Sequence, residues 1–231
     1  MARLFTEQYS FSKGDSVVVI GLGRFGSALA RSLMRLGHDV MGIDKDAAPV
    51  QEWADLLTHA VQADSTNAMV MRQLGVADFS HAIVGIGTDL ASSLMTVMAL
   101  TELGIKDIWV KALTAEHGQI AQRIGAHHVV YPEADMGERV AHLISGRMMD
   151  YIEFEDGFAI AKVHAPATIH HRTLLESAVR EKYGVTIVGV KRANEDFQHA
   201  TPSTRVLPDD LLIVSGPTQK VERFASSGVC R

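Results

Sequence analysis

Cysteine is almost missing from this chain: Cys230, next to last, is the one thiol in 231 residues. A lone thiol closes no disulfide within a chain and builds no cysteine-based zinc site, so the fold rests on its core and a reducing compartment is expected. Proline is scarce, with six residues, and aromatics make up 6%. No stretch reaches the roughly 20 apolar residues of a membrane span, and the start, Met1-Ala-Arg-Leu-Phe-Thr-Glu-Gln-Tyr-Ser10, lacks the apolar segment of a secretory signal. Any membrane role is therefore expected to be indirect. A basic excess is lacking too. The formal charge is −5 and the isoelectric point near 6.1, which excludes the broad positive field of sequence-independent nucleic-acid or anionic-lipid binders. No nucleic-acid partner is expected.

What is present is apolar and patterned. Hydrophobic residues make up 47% of the chain, enough for one large or two modest domains. From Ser16 to about Val130, short apolar runs recur every 20 residues or so: Val17-Val-Val-Ile20, Asp39-Val-Met-Gly-Ile43, His59-Ala-Val-Gln62, His81-Ala-Ile-Val-Gly-Ile86, Asp107-Ile-Trp-Val110 and His127-His-Val-Val130. Between them, residues 24–36, 48–57, 67–74, 90–103 and 116–124 carry apolar positions at helical spacing, and Gly37, Gly75, Gly104 and Gly125 follow as C-caps. Strict alternation of strand and helix predicts an α/β fold, a doubly wound parallel sheet of Rossmann type with right-handed crossovers. After Pro132 the pattern changes. One long helix is expected over 138–149, then strands at 151–154, 158–163, 185–190 and 211–214, with helices at 173–181 and 219–224. This describes a second, smaller α+β domain. The expected division is an N-terminal extension over 1–14, a nucleotide-binding domain with its crossover helix over 15–149, and the smaller domain over 150–231.

The sharpest motif is Gly21-Leu-Gly23-Arg24-Phe25-Gly26, directly after one apolar run and directly before a helical one. Gly21 allows a tight turn, Gly23 lets the backbone approach a pyrophosphate, and Gly26 lets helix and strand pack closely; free N–H groups at the helix start then face the anion. Asp44, 18 residues beyond Gly26, stands near the spacing of a carboxylate that binds ribose hydroxyls, with Lys45 beside it. Arg24 offers a guanidinium to further phosphate charge such as the γ-phosphate of ATP; the alternative is a solvated surface arginine. Asp64 and Ser65 follow the third strand at the carboxyl edge, where Asp64 contacts base or ribose or else caps the next helix. Ile86 and Gly87 lie in the fourth-strand loop, close to a base or sugar. Lys111 adds a cation at the same edge, as phosphate ligand or as a dimer contact.

Together these residues resemble the RCK (KTN) domain family, most closely the KtrA/TrkA-type cytoplasmic regulatory subunits of potassium uptake systems. The segments that carry the resemblance are Val19-Ile-Gly-Leu-Gly-Arg-Phe-Gly26, Gly37-His-Asp-Val-Met-Gly-Ile-Asp44, Ile108-Trp-Val-Lys-Ala112, Gly125-Ala126, Pro132-Glu-Ala-Asp-Met-Gly137, Arg180-Glu-Lys-Tyr-Gly184 and Asp209-Asp-Leu-Leu-Ile-Val-Ser-Gly216. The resemblance implies an RCK N-domain and C-domain, homodimers joined into an octameric ring, and a membrane-embedded potassium-translocating partner of the KtrB/TrkH type. It implies ATP favouring activity and ADP the inactive form, Arg24 as γ-phosphate sensor, and Glu133 as a carboxylate for Mg2+ or Ca2+ between nucleotide-bound subunits. Without it, Glu133 reads as a charge favoured at a helix N-terminus. Histidines at 127 and 128 and the Ala63-Asp64 pair depart from the family pattern and bear on base contacts. Cyclic di-AMP, which some family C-domains bind, finds no specific motif here.

A competing reading is an NAD-dependent oxidoreductase, since the glycine motif and Asp44 suit NAD(H) equally well. No general acid or base stands out beyond residue 150. The pairs His127-His128 and His170-His171 are strand-like neighbours expected to point to opposite faces, which suits neither a metal site nor a proton relay. A Gly-x4-Gly-Lys-Ser/Thr loop is lacking, so nucleotide binding rather than hydrolysis is the expected output.

Overall fold

The computed structural model describes residues 15–144, 148–154 and 156–227. The expected N-terminal extension and Cys230 lie outside them. The chain divides into two compact units, Met1–Ala134 and Asp135–Arg231.

In the first unit the described strands are β1 (Ser16–Ile20), β2 (Asp39–Asp44), β3 (His59–Gln62), β4 (His81–Val84), β5 (Asp107–Lys111) and β6 (His128–Val130), all parallel in the order β3-β2-β1-β4-β5-β6. Helices α1 (Arg24–Leu36), α2 (Ala47–Trp53), α3 (Ala68–Gln73), α4 (Leu90–Glu102) and α5 (Ala115–Arg123) connect them. Because helices cover both faces, the central strand reads as a continuous apolar run: Val17, Val18, Val19 and Ile20 are each at most 1% exposed. Each such side chain contributes about 1.5–3 kcal/mol of burial. Val18 and Ile20 join one core cluster, Val17 and Val19 the other, as the two-residue strand period demands.

Helix ends follow local chemistry. Gly37 ends α1 in the left-handed region at φ 89, and its N–H and that of His38 close onto the carbonyls of Met34 and Leu33. Helix α2 stops at Trp53, short of the expected residue 57, and residues 54–56 form a turn instead. Strand order reverses between β1 and β4, so the loops after those strands part and leave a crevice at the carboxyl edge, the place where such sheets bind ligands.

Helix α6 (Pro132–Ile144) starts six residues before the expected position. Proline at the first helical position lacks only an N–H that would have no intrahelical partner, so it opens the helix rather than holding it off. Residues 145–147 lie outside the described residues, and Met148 is not helical.

The second unit is built on an antiparallel sheet of β7 (Asp150–Phe154), β8 (Phe158–His164), β9 (Thr186–Lys191), β10 (Gln198–His199) and β11 (Leu211–Pro217), in the order β10-β9-β11-β8-β7. The helix expected over 173–181 is two short ones, α7 (Leu174–Ser177) and α8 (Val179–Tyr183). Ala178 breaks them at φ 46, while Thr173 and Glu176 form a reciprocal capping box that starts α7. Helix α9 (Thr218–Ser226) buries Val221, Phe224 and Ala225 in the core it shares with β8 and β11. Among the described residues no helix is long and apolar enough to cross a membrane.

Candidate functional site

The site grows out of the β1–α1 turn. Gly21 sits at φ 89, a conformation that disfavours any side chain, and its N–H donates to the Ile43 carbonyl at 2.8 Å. Gly26 is obligatory for a different reason: a Cβ there would lie 1.9 Å from the Gly21 carbonyl oxygen. Gly23 is unlike both. Its φ is −69, and a Cβ would meet nothing within 4 Å. No contact among the described residues requires glycine at 23, and the open space stands directly over the N-terminus of α1. That helix carries no side-chain cap and no acid in its first turn, so its free N–H groups face this space with their partial positive charge intact.

Asp44 shapes the turn. Its Oδ2 accepts from the Leu22 N–H at 2.7 Å and its Oδ1 from the Asp46 N–H at 2.9 Å, tying the phosphate loop to the end of β2. Each oxygen keeps a second lone pair for a hydroxyl donor. Lys45 is exposed beside it, its carbonyl accepting from Gln62. The Lys45 charge reaches both Asp64 and Asp89 and adds to the hydrogen bonds that lower their carboxyl pKa values.

Asp64 does not cap α3. Its Oδ1 accepts from the Thr66 hydroxyl at 2.7 Å and the Thr66 N–H at 3.0 Å, bonds that pull its pKa down. The cap is Asn67, whose Oδ1 accepts from the Met69 and Val70 N–H groups. Ser65 is buried and pairs with the Thr96 hydroxyl of α4 at 2.8 Å. That engagement turns it inward. Asp89 caps α4 through the Ser92 N–H and hydroxyl.

On the other side of the crevice, Ile86 packs beside Gly21, and Gly87 leaves room for Lys111, whose Nζ would lie 3.0 Å from a Cβ at 87. Lys111 Nζ stands 5.7 Å from the centroid of the Phe25 ring, a cation–π arrangement, and 2.5 Å from Glu133 Oε1. The Lys111 side chain is 11% exposed and that of Glu133 57%. The Lys111 hydrogen bond, with the charges of Lys111 and Arg24, holds the Glu133 carboxyl below its ordinary range. Arg24 itself opens α1 and is exposed. Three residues from separate parts of the chain, Phe25, Lys111 and Glu133, thus converge next to the open space over Gly23.

Glu133 is the second residue of α6, and among the described residues no three His, Cys, Asp or Glu side chains gather as a metal cluster. A single carboxylate beside a phosphate cradle suits a hard cation such as Mg2+, which takes one or two protein carboxylates and completes its shell from phosphate and water.

The sequence did not point to a second polar cluster at the amino edge of the same sheet. Asp107 is buried; its Oδ2 lies 2.8 Å from His81 Nδ1 and accepts from the Trp109 indole at 3.0 Å. His128 Nε2 stands 3.1 Å from Oδ1, and the His128 ring stacks on Trp109 at 4.0 Å. The other histidines in question are also engaged: His127 Nδ1 accepts from the Ile108 N–H, and His170 Nε2 lies 2.9 Å from the Ala165 carbonyl.

The TrkA-N domain family model matches residues 17–132 and the TrkA-C domain model residues 158–227. The chain is 38% identical to the Ktr system potassium uptake protein C of Bacillus subtilis, over 89% of this chain and 94% of that protein. Its fold is similar to the solved GsuK RCK domain, with a TM-score of 0.62 at 18% identity, covering 99% of this chain and half of that one. GsuK bound to ADP superposes on 58% of this chain and 35% of its own, with a TM-score of 0.50 at 25% identity.

Proposed function

The chain belongs to the TrkA-N/TrkA-C family of potassium uptake proteins, and from that premise we propose that it is a nucleotide-responsive regulatory subunit, taking ATP and ADP at the β1–α1 loop. The observation that carries this reading is Gly23: a glycine that no contact among the described residues requires, beneath open space, at the uncapped start of a helix. Backbone N–H groups there receive the phosphates. Arg24 and Lys111 reach the distal phosphate charge, Asp44 the ribose, and Asp64, Ile86 and Gly87 flank the base or sugar. GsuK, whose ADP and NAD complexes both share this fold, supports an adenine nucleotide at this site.

Glu133 would hold Mg2+ or Ca2+ against the bound phosphates, where the cation offsets their charge. The assembly proposed is a homodimer multiplied into an octameric ring on the cytoplasmic side of a membrane-embedded potassium-translocating subunit of the KtrB/TrkH type. The ring transmits a signal only if ATP and ADP differ in affinity for its two conformations; that difference is the coupling free energy.

Calorimetric titration of the nucleotide-stripped chain with ATP, ADP and NADH, with and without Mg2+, tests the proposal. Binding of ATP and ADP in preference to NADH is expected. Tight NADH binding with no response to ATP or ADP would overturn it and favour a redox role.

A further inference from the structure

The groove between α1 and α2 is lined by Arg31, Met34, Arg35, Trp53 and Leu56 and encloses about 380 Å3. Arg31 and Arg35 belong to the last turns of α1, which lead back to the start of β2, so the groove lies away from the carboxyl edge that carries the phosphate loop. Its floor is apolar. Trp53 is recessed, 4% exposed, while Leu56 at the mouth is 55% exposed.

Its rim carries two cations. The Arg31 guanidinium stacks over the Trp53 ring at 5.0 Å, and Arg35 donates to the Ser32 hydroxyl. Neither forms an ion pair among the described residues, although Glu52 and Asp55 are exposed on the neighbouring segment. Like charges four residues apart on a helix repel each other. The helix dipole compensates Arg35 in the last turn. Arg31, one turn earlier, has the Trp53 ring as its partner among the described residues. In a chain of net charge −5, an unneutralised arginine pair above a recessed indole is a local departure.

We propose that this groove docks an acidic peptide segment of a protein partner: an apolar side chain seated on Met34 and Leu56, above the recessed Trp53, with a neighbouring carboxylate held by the forks of Arg31 and Arg35. Arginine matches a carboxylate with two parallel hydrogen bonds and is among the residues enriched at protein–protein hot spots. An anionic bilayer suits the groove less well. Lipid-binding clusters carry roughly four to eight basic residues, whereas here two are flanked by Glu52 and Asp55, and a flat headgroup layer does not reach a recessed indole. The proposal is independent of which nucleotide the phosphate loop takes.

The test is fluorescence anisotropy with the full chain and a panel of fluorescein-labelled, 12-residue helical peptides. They share a Leu/Phe stripe and carry Glu, Gln or Lys beside it at varied positions. The best Glu peptide is expected to bind at least tenfold more tightly than its Gln counterpart, with Lys weakest. Arg31→Gln/Arg35→Gln should remove that preference and Arg31→Glu/Arg35→Glu should reverse it. Both arginines are exposed, so the Gln pair should lower Tm by no more than a few degrees and the Glu pair, which opposes the helix dipole, by slightly more; a change in ranking by a chain that is still folded at the assay temperature reports on the groove. Several results would overturn the proposal. They are an unchanged ranking in the variants, no binding by any peptide, or arginine-dependent binding to phosphatidylglycerol vesicles in place of the peptides. A smaller oligomer in the Glu variant by sedimentation would also overturn it, since the groove would then seat a second copy of this chain.

Discussion

Lys111 Nζ and Glu133 Oε1, at the ends of β5 and at the start of α6, lie 2.5 Å apart beside the phosphate cradle. Lys111, read from the sequence as a phosphate ligand or a dimer contact, and Glu133, a cation ligand by the family resemblance and otherwise a helix-terminal charge, form a single ion pair. With Glu133 more than half exposed, solvent screens the pair, and its weight in stability is small. Under the proposed reading its weight in binding is larger, because a phosphate that draws Lys111 away leaves the carboxylate free.

Glu133→Gln is therefore expected to keep nucleotide affinity within a few-fold and to lose the gain in affinity that Mg2+ confers. Titrating ATP into the variant with and without Mg2+ checks this. An unchanged cation response would return Glu133 to a helix-terminal charge.

Arg24→Ala should weaken ATP more than ADP. A charge-assisted hydrogen bond contributes about 1.5–3 kcal/mol, so ATP affinity is expected to fall roughly tenfold to a hundredfold while ADP changes little. Equal losses in calorimetry would remove the γ-phosphate role.

Gly23 and Gly26 separate binding from folding. Gly26→Ala forces a methyl against the Gly21 carbonyl and is expected to cost about 3 kcal/mol or more, visible in thermal unfolding. A Cβ at 23 meets nothing within 4 Å among the described residues, so for Gly23→Val Tm should stay within a few degrees while ATP and ADP binding both disappear.

Asp107 offers a test away from the site. Asp107→Ala removes the acceptor of the Trp109 indole and one of the partners of His81, and a loss of about 1–3 kcal/mol is expected. Asp107→Asn should cost less, because the amide oxygen still accepts one of the two bonds. Chemical denaturation followed by Trp109 fluorescence measures both.

His117 predicts a pH dependence. It is buried, its Nε2 3.1 Å from the Ser93 hydroxyl, and burial pushes its pKa down from the ordinary value near 6.5. The folded chain favours the neutral ring. This group's contribution is therefore complete above about pH 6.5 and is lost as pH falls below that value. His117→Gln should flatten the fall in Tm between pH 7 and 5 relative to the unmodified chain.

The first unit was largely legible in the sequence because buried parallel strands are uninterrupted apolar runs and the helices between them end at glycines. Helix α1 matches its expected span, and β1 and β3 lie within a residue of theirs. What the sequence hid depends on distance. The Asp107 cluster exists because parallel register sets His81 opposite Asp107 and His128 opposite Trp109, and no local pattern marks those pairings. Phe25, Lys111 and Glu133 meet only when the sheet brings α1, β5 and α6 to one edge. Ala178 in a left-handed conformation carries no sequence signal at all, since alanine is otherwise a strong helix former.

The two amide bonds to Asp44 hold the phosphate loop against the end of β2. A loop held this way by its own chain has little left to order on capture, so under the proposed nucleotide reading residence time, more than arrival, distinguishes one ligand from another. Under the proposed reading, the delay between a change in the ATP/ADP ratio and the response of the uptake system is the dissociation time of the departing nucleotide.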